Sequence, residues 1–540
     1  MLAPDQECTL TILQTSDLHG SIFPHSYANH EPKELGLAKL AARIREEKQR
    51  ADQLLVIDCG DLIQGTPLAY HHARISHEQS NPMILCLNEL GYDAAIPGNH
   101  EFNYGLPFLQ KAMSESRFPW LCANLTDADG KPFFGRAYTV KRFANGLAVG
   151  IIGLTTSYIP HWENPAHIAG IQFRDPVETA RYWVRFLREE EAVDVVVVAY
   201  HGGLERDAET GEPTEPLTTE NQGYELCASV EGIDVLLTGH QHRMLASTVH
   251  GVAIVQPGHE GRMAGKVVLN LRAKESRWEI RQKQVSLLSA EGVQPDASLL
   301  ELAADYEAET QQWLDQPIGR IEGNMRITDP LAARLQEHPF IEFINRVQIE
   351  MSGAAISSTA LFDNAAAGFA ENVTMRDIVS NYIYPNTLKV LRVTGQDIKD
   401  ALEQTAGYFD LNETGEIVVS PRFLAPKPQH YNYDMWEGIE YRINVAKPLG
   451  QRIEFLTQEH KPLEMAAEYE VVMNHYRAGG SGNYTMFQHK PVVRELAIEI
   501  AELLATYLLE RKVVKATVNA NWSVVAIGGQ GSGAADQSGQ

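Results

Sequence analysis

Five short blocks within residues 17–242 carry the side chains best suited to chemistry. They combine carboxylates, one amide and several imidazoles, and none of them contains a thiol. Oxygen and nitrogen donors of this kind bind Mn²⁺, Mg²⁺, Co²⁺ or Zn²⁺. The glycines beside them allow sharp turns and close backbone approach. The blocks are Asp17-Leu18-His19-Gly20, Gly60-Asp61, Gly98-Asn99-His100-Glu101, His201-Gly202-Gly203 and Gly239-His240-Gln241-His242.

Each block taken alone has an ordinary structural explanation. His201 by itself is typical of a buried histidine with satisfied hydrogen bonds, and Asp61 of a helix or turn cap. Glu101 fits a partner of a metal ligand and a structural carboxylate equally well. The five blocks in one order, each after an apolar run, are not explained in this way. Together they favour a metal centre.

The apolar runs before the blocks predict strands, because they are short, rich in Val, Ile and Leu, and often followed by turn residues. Helical spacing separates them at 35–48 and 176–190. This alternation predicts a layered α/β domain with its active site at the C-terminal ends of the strands. The predicted strands are Leu10–Gln14, Leu54–Ile57, Ala94–Ile96, Leu147–Leu154, Val193–Tyr200 and Val235–Leu237.

The chain of 540 residues is too long for one ordinary core, and its pattern changes after about residue 290. We expect a catalytic domain at 8–316 and a second α/β domain at 317–525, with a connecting helix at about 337–352. Residues 297–314 and 492–512 are each predicted as one helix. The small, Gly- and Ser-rich residues 526–540 predict a flexible tail.

Composition limits the ligands and the compartment. The 46 basic and 70 acidic side chains give a formal net charge of -24, so a long nucleic acid is not expected to bind. A small anion would need a local positive centre, which bound metal ions supply. No apolar run reaches the roughly 18 residues of a membrane span, and nothing indicates an obligate protein partner. Five scattered cysteines and no signal-peptide pattern favour a cytoplasmic protein, with a secreted or periplasmic one as the alternative if a signal was removed.

The order of the five blocks resembles that of the calcineurin-like metallophosphoesterases. Over nearly the whole chain the sequence is similar to the bacterial 5′-nucleotidase family, which joins such a domain to a distinctive C-terminal one. The resemblance implies an N-terminal β-sandwich flanked by helices and a C-terminal α/β domain. Five segments resemble the 2′,3′-cyclic-nucleotide 2′-phosphodiesterase/3′-nucleotidase branch: Asp58–Pro67, Gly98–Leu106, Asn381–Leu388, Tyr431–Gly438 and Asn474–Gly480.

The resemblance implies two divalent metal ions, with Mn, Zn, Co and Mg all compatible. Asp61 would bridge them. Two ions about 3.5–4 Å apart can share a hydroxide that attacks phosphorus in line. One ion would be held by Asp17, His19, Asp61 and His242, and the other by Asp61, Asn99, His201 and His240.

His100 would lie beside the substrate phosphate, as a transition-state donor or as an acid toward the leaving oxygen. In the 5′-nucleotidase branch an aspartate often follows Asn-His-Glu-Phe and orients this histidine, whereas here the position is Asn103. An amide cannot stabilise a protonated imidazole as a carboxylate does, and asparagine is usual in the cyclic-nucleotide branch. Tyr433 and Tyr476 match the family's base-clamping positions, although both residues alone also fit packing at a core edge.

The expected function is therefore that of a two-metal hydrolase of nucleotide phosphoesters. The first expectation is a 2′,3′-cyclic-nucleotide 2′-phosphodiesterase with 3′-nucleotidase activity. A 5′-nucleotidase or UDP-sugar hydrolase is the alternative on the same scaffold. A metal-binding interaction protein that has lost catalysis is a more distant one, which the intact ligand set and His100 argue against.

Overall fold

Two compact units make up the chain, Met1–Leu314 (unit 1) and Asp315–Gln540 (unit 2). The predicted domain boundary at residue 316 lies close to this division. The structure, a computed structural model, describes residues 5–527 apart from Trp162, Pro216, Ser276, Pro385, Pro426 and the side chain of Ala497. The predicted tail, 526–540, lies outside the described residues except for Ala526 and Ile527.

Strands and helices alternate along unit 1, as the sequence predicts. The strands are β1 (Glu7–Thr15), β2 (Gln53–Asp58), β3 (Ala94–Ala95), β4 (Leu125–Thr126), β5 (Tyr138–Arg142), β6 (Ala148–Thr155), β7 (Gln172–Phe173), β8 (Val195–His201), β9 (Val235–Thr238), β10 (Met244–Val249), β11 (Val252–Pro257), β12 (Met263–Lys274) and β13 (Arg277–Ser289). The helices are α1 (Leu37–Arg50), α2 (Pro67–Arg74), α3 (Pro82–Leu90), α4 (Leu106–Glu115), α5 (Pro176–Glu189), α6 (Gly223–Ser229), α7 (Ala297–Leu302) and α8 (Ala304–Leu314).

Unit 1 is a sandwich of two large sheets, as the family resemblance implies. One sheet has the strand order β13-β12-β1-β2-β3 and the other β10-β11-β9-β8-β6-β5. Alternate side chains of β8 show how both faces of its sheet are covered. Val197 belongs to an apolar cluster with Leu10 of β1 and Leu269 of β12, whereas Val198 belongs to a second cluster with Val184 of α5. Burial on both faces explains why β8 is a continuous apolar run.

The strands that precede the chemical blocks run parallel in each sheet. In the first sheet β1 pairs with β2 and β2 with β3, and in the second β6 pairs with β8 and β8 with β9. Parallel strands bring their C-terminal ends to the same edge of a sheet. The sequence blocks therefore gather at the edges of two sheets that pack against each other.

Unit 2 is a second α/β unit. Its strands are β14 (Pro317–Glu322), β15 (Met325–Arg326), β16 (Ile356–Ala360), β17 (Gly368–Phe369), β18 (Asn372–Thr374), β19 (Thr387–Thr394), β20 (Phe409–Leu411), β21 (Ile417–Val419), β22 (Asp434–Glu437), β23 (Glu440–Asn444), β24 (Ile453–Gln458), β25 (Lys461–Pro462), β26 (Glu468–Asn474), β27 (Val492–Glu499), β28 (Val513–Lys515) and β29 (Trp522–Val525). Its helices are α9 (Ala332–Leu335), α10 (Pro339–Ser352), α11 (Met375–Asn381), α12 (Gly395–Ala406), α13 (His475–Ala478) and α14 (Ile500–Arg511).

The largest sheet of unit 2 has the order β22-β16-β26-β19-β27. The helix expected at about 337–352 is α10, which packs within unit 2 against β16 and α14. Local sequence explains its limits: Pro339 occupies the first turn, and Gly353 ends the helix at a φ of 72°. Among the described residues, no helix of either unit is long and apolar enough to span a bilayer.

Two helix predictions are wrong in part. Residues 492–512 do not form one helix, because Val492–Glu499 is strand β27, paired antiparallel with β19, and only Ile500–Arg511 is helical. The β-branched Val492 and Val493 suit the strand, and the pairing partner lies about a hundred residues away in sequence. Residues 297–314 form two helices, because the backbone of Ala303 (φ -101°, ψ 3°) leaves the helical region.

Candidate metal centre

Two groups of side chains that could hold a metal ion lie at or just beyond the C-terminal ends of β1, β2, β8 and β9. In each group, one ligand atom from every residue lies within 4.8 Å of the others. The sequence predicted every member of both groups. The first consists of Asp17, His19 and His242, and the second of Asp61, His201 and His240.

His19 and His242 direct ring nitrogens at each other. His19 Nδ1 lies 3.1 Å from the carbonyl oxygen of Gln64, which only accepts, so this nitrogen carries the hydrogen. The other nitrogen, Nε2, therefore presents a lone pair, and it lies 3.1 Å from His242 Nε2. Two imidazole nitrogens at this distance need a proton or a cation between them. The arrangement fits a metal ion held by both rings.

His201 has the same arrangement in the second group. Its Nδ1 donates to the carbonyl oxygen of Cys59 at 2.6 Å, which fixes the ring. Its Nε2 lies 3.1 Å from Asn99 Oδ1 and 3.2 Å from Asp61 Oδ2. Two oxygens that only accept and one ring nitrogen converge here. A cation satisfies all three at once.

Asn99, which the resemblance makes a ligand, joins this second group through His240. Asn99 Oδ1 lies 2.9 Å from His240 Nδ1, while His240 Nε2 lies 2.9 Å from Glu220 Oε1. The carboxylate of Glu220 accepts from Nε2 and leaves Nδ1 as the nitrogen that could bind a metal ion. The sequence did not point to Glu220, which orients the ring of His240, and no motif marks it. Asp61 lies with the second group, and its role as a bridge between two ions stays a prediction.

The loops that carry the ligands have unusual backbone geometry. Five of the seven predicted ligands have a positive φ: Asp17 (53°), His19 (49°), Asp61 (56°), His240 (70°) and His242 (57°). Only a few per cent of non-glycine residues adopt this region, and such residues cluster at functional sites. The strain favours a site in which the tertiary structure holds each ligand in place.

Gly98 shows how tightly these loops pack. A Cβ at this position would lie 2.3 Å from Asp61 Oδ1 and 2.6 Å from His201 Cε1. Any other residue would therefore displace two predicted ligands. This explains the glycine beside Asn99 that the sequence analysis noted.

Glu101 is a structural carboxylate that orders the ligand loops. It is fully buried and accepts backbone N–H bonds from Asp61, Leu62, Ile63 and Gly98 at 2.6–3.2 Å. The loop after β2 and the loop after β3 are thus joined through one side chain. The structure resolves the choice that the sequence left open, because Glu101 supports the loops that carry Asp61 and Asn99.

The pKa values follow from burial and from the neighbouring charges. Burial lowers the pKa of His19 to about 3, so this ring is neutral at pH 7, as a metal ligand must be. Burial alone would raise the pKa of Asp17, but the hydrogen bond to His242 and the charge of His242 hold it below its usual range. Burial would likewise lower the pKa of His201, yet the charge of Asp61 outweighs it and raises that pKa to about 10. Metal binding at His201 must then displace a proton.

His100 and Asn103 lie beside the two ligand groups. The backbone N–H of His100 donates to Asp61 Oδ1 at 2.8 Å, and its ring centre lies 5.3 Å from that of His19. His100 Nδ1 lies 2.7 Å from Asn103 Oδ1, so the asparagine does contact the histidine. Asn103 Nδ2 in turn donates to Glu163 Oε2 at 2.7 Å. Glu163 is a further residue that the sequence analysis missed, since it stands 60 residues away from Asn103.

The structure contradicts the prediction for Tyr433. This ring is 0% exposed and packs against Tyr408, and its hydroxyl donates to the carbonyl oxygen of Arg334 at 2.8 Å. A base cannot stack on a ring that the core covers completely. Tyr431, two residues earlier, is partly exposed, and its ring lies 6.3 Å from that of Tyr476. The segment Tyr-Asn-Tyr-Asp offers two tyrosines, and only burial distinguishes between them.

Two family models match the chain. The calcineurin-like phosphoesterase model matches residues 10–244, and the 5′-nucleotidase C-terminal domain model matches residues 317–489. The first match contains both ligand groups, and the second contains Tyr431 and Tyr476. The domain pair therefore agrees with the resemblance seen in the sequence.

Several proteins of similar sequence or structure match this chain over nearly its whole length. A Haemophilus influenzae 2′,3′-cyclic-nucleotide 2′-phosphodiesterase/3′-nucleotidase is 27% identical over 96% of this chain and 88% of its own length. The trifunctional nucleotide phosphoesterase protein YfkN of Bacillus subtilis is also 27% identical over 96% of this chain, which spans only 39% of YfkN. A crystal structure from Staphylococcus aureus, assigned as a 5′-nucleotidase, is 36% identical, with a TM-score of 0.87 over 96% of this chain and 100% of that one.

These likenesses agree with the geometry of unit 1. Both ligand groups lie inside the matched catalytic domain, and their donors suit divalent ions that act on phosphate esters. The chain is a metal-dependent phosphoester hydrolase and belongs to the 5′-nucleotidase family of calcineurin-like metallophosphoesterases.

Proposed function

We propose that this enzyme hydrolyses 2′,3′-cyclic nucleotides at the 2′ bond and then removes the 3′-phosphate. The observation that carries the proposal is the contact between His100 and Asn103 beside the two ligand groups. The sequence resemblance connects an asparagine at this position with the cyclic-nucleotide branch. The similarity to the Haemophilus influenzae enzyme of that name, over most of both chains, supports the same substrate class.

Seven side chains would hold two divalent ions: Asp17, His19, Asp61, Asn99, His201, His240 and His242. When bound, such ions neutralise phosphoryl charge and lower the pKa of water. Mn²⁺, Zn²⁺, Co²⁺ and Mg²⁺ all suit donors of this kind. Two dipositive ions against the carboxylates of Asp17 and Asp61 leave a positive site in a chain of formal charge -24. A nucleotide phosphate is therefore attracted to this place on an otherwise acidic protein.

His100 would act directly on the substrate. Its main chain is tied to Asp61, so the ring is held close to the place where the phosphate would bind. Because Nδ1–H donates to Asn103, Nε2 remains the ring nitrogen for a phosphoryl or leaving oxygen, to which it donates when the ring carries hydrogens on both nitrogens. Tyr431 and Tyr476 of unit 2, whose rings are partly exposed, are the side chains that we propose for stacking on a base.

A 5′-nucleotidase or UDP-sugar hydrolase activity is the second candidate. The specific observation in its favour is the Staphylococcus aureus structure, which is assigned as a 5′-nucleotidase and is 36% identical. Both candidates use the same ligand groups and differ in which ester oxygen leaves. Only the identity of the substrate that is hydrolysed distinguishes the two candidate activities.

The test is a substrate panel on metal-stripped protein reconstituted with Mn²⁺. The panel contains 2′,3′-cyclic AMP, 3′-AMP, 5′-AMP, UDP-glucose and a bis-aryl phosphodiester. We expect fast turnover of the first two, lost with chelator and with His240→Ala but kept with His77→Ala, which changes an exposed histidine. Turnover of only 5′-AMP or UDP-glucose would reject the cyclic-nucleotide assignment and leave the second candidate.

A further inference from the structure

A line of polar contacts continues outward from His100. Asn103 Oδ1 contacts His100 Nδ1 at 2.7 Å, and Asn103 Nδ2 donates to Glu163 Oε2 at 2.7 Å. The other carboxylate oxygen, Glu163 Oε1, accepts from the backbone N–H of Asn164 at 2.7 Å and lies 3.0 Å from His167 Nδ1. Glu163 is only 8% exposed. A buried carboxylate therefore stands directly behind the amide that contacts His100.

The directions of these hydrogen bonds are determined by Glu163. A carboxylate only accepts, so the amide nitrogen of Asn103 must face Glu163 and the amide oxygen must face His100. An isolated asparagine could rotate and present either atom to the histidine. Once the oxygen faces His100, Nδ1 must carry the hydrogen, and Nε2 is the nitrogen available to the substrate.

We propose that Glu163 is a positioning residue for the reaction: through Asn103 it sets the tautomer and the orientation of His100. This role rests on the proposed function, in which His100 contacts the substrate. Glu163 supplies, one residue further away, the negative group that an aspartate at position 103 would supply directly. Burial strengthens both hydrogen bonds because the local dielectric is low. The bond from Asn164 N holds the carboxylate in place while its second oxygen faces Asn103.

Glu163→Gln has a predictable consequence. The backbone N–H of Asn164 still needs an acceptor, so the amide oxygen of the new side chain must face Asn164. Its NH₂ group then faces Asn103, whose own amide must rotate to accept. The nitrogen of Asn103 would now donate to His100 Nδ1, so the ring could no longer carry hydrogens on both nitrogens and would be a poor proton donor to the leaving oxygen. We expect kcat to fall about 100-fold, the lower end of what a positioned acid–base group contributes.

The reciprocal change should restore the original directions. In Asn103→Asp combined with Glu163→Gln, a carboxylate at 103 accepts both from His100 Nδ1 and from the NH₂ group at 163. Asn103→Asp alone places two carboxylates against each other where a 2.7 Å hydrogen bond now lies, and should be impaired. The double variant should therefore recover at least about 10-fold in kcat over each single variant. A residue that only stabilised the loop would give no such rescue.

The experiment measures kcat and KM for wild type, both single variants and the double variant, all loaded with Mn²⁺. Glu47→Gln is the matched control. Glu47 lies on α1 and is also 8% exposed, but its carboxylate pairs with Lys266 of β12. Metal content and melting temperature should be similar in all five proteins, so that a kcat change reports on His100. Wild-type kcat in Glu163→Gln, or a double variant no better than Glu163→Gln, would overturn the proposal.

Failure of the proposed function would look different. It would appear in the wild-type panel, as turnover of 5′-AMP, UDP-glucose or the diester in place of the cyclic nucleotide. The four variants are compared with wild type on whichever phosphoester the wild type hydrolyses fastest. The rescue can therefore succeed or fail whatever the natural substrate is.

Discussion

The main-chain N–H of His240 donates to both carboxylate oxygens of Asp17, each at 3.1 Å. Asp17 follows β1 of one sheet and His240 follows β9 of the other, so this bond joins the two halves of the sandwich where the ligand groups meet. Asp17 thus combines two roles: its charge faces the first ligand group, and its oxygens fix the loop that carries a member of the second. Substitutions can separate these roles.

Asp17→Asn keeps an oxygen that accepts from His240 N but removes the negative charge. We expect bound metal to fall by about half and kcat by at least about 100-fold, since losing even a partner of a ligand typically costs 10- to 100-fold. Asp17→Ala should in addition lower the free energy of unfolding by about 1–3 kcal/mol, because the buried N–H loses its acceptor. Elemental analysis and urea denaturation measure the two effects, with exposed Asp52→Asn as the control. Full metal content in Asp17→Asn would contradict the ligand assignment.

Glu101→Gln removes a buried acceptor of four backbone N–H groups. We expect the free energy of unfolding to fall by about 2–3 kcal/mol, because an amide nitrogen would then face backbone donors. Metal affinity should fall about 10- to 100-fold as the loops of Asp61 and Asn99 lose their common support. Calorimetric titration with Mn²⁺ checks the affinity. Glu205→Gln removes a similar acceptor from the first turn of α6 and should lower stability with unchanged metal affinity.

Removing the metal should destabilise one unit and not the other. Chelation leaves the converging donors around His19 and His201 without a cation, so unit 1 should lose about 4 kcal/mol relative to protein in a thousandfold excess of metal over Kd. The ligand groups lie in unit 1 alone, so the unfolding of unit 2 should not move. Differential scanning calorimetry with and without chelator reports both transitions. Equal shifts of both, or of neither, would argue against a metal centre confined to unit 1.

Three tyrosines of unit 2 should respond differently to substitution. Tyr431→Ala and Tyr476→Ala should each raise KM for 3′-AMP about 5- to 100-fold, because a stacked base contributes about 1–3 kcal/mol. KM for glycerol 2-phosphate, which has no ring, should stay the same. Tyr433→Phe should leave both KM values unchanged and lower the free energy of unfolding by about 1 kcal/mol, since only the bond to Arg334 is lost. A rise in KM for 3′-AMP but not for glycerol 2-phosphate in Tyr433→Leu, which removes the ring, would restore Tyr433 as a base contact.

Unit 2 should lose stability as the pH rises through neutrality. Burial, together with the nearby carboxylates of Glu437 and Glu342, raises the pKa of Glu337 to about 7. A raised folded-state pKa means that the protonated form is favoured on folding. This stability is present below the unfolded-state value of about 4.5 and is lost as the pH rises through about 7.

Glu337→Gln mimics the protonated form and should flatten this dependence. Melting curves of wild type between pH 5 and 8 should show a falling midpoint for unit 2, and those of the variant a smaller change. Exposed Glu413→Gln is the matched control and should follow wild type. Parallel curves for wild type and Glu337→Gln would show that this carboxyl does not titrate in the range.

Local pattern was enough to predict the blocks that supply the two groups of donors. In each case an apolar run predicts a strand, and the turn and the donor residues follow it directly in the sequence. The same reasoning predicted the alternating strands of unit 1 and the helix at α10. The helix prediction failed for residues 492–499, where a distant segment determines the secondary structure. These residues form a strand because they pair with β19.

The sequence by itself thus determined the donor types, their order and their place after parallel strands, and with them the family and the chemistry. Only the tertiary structure decided which nitrogen of His201 faces the ligands, which of Tyr431 and Tyr433 is exposed, and that Glu163 stands behind Asn103. The physical reason is that hydrogen-bond direction and burial depend on groups far away along the chain. His19 meets His242 across 223 residues and Asn103 meets Glu163 across 60, and no local periodicity records such contacts.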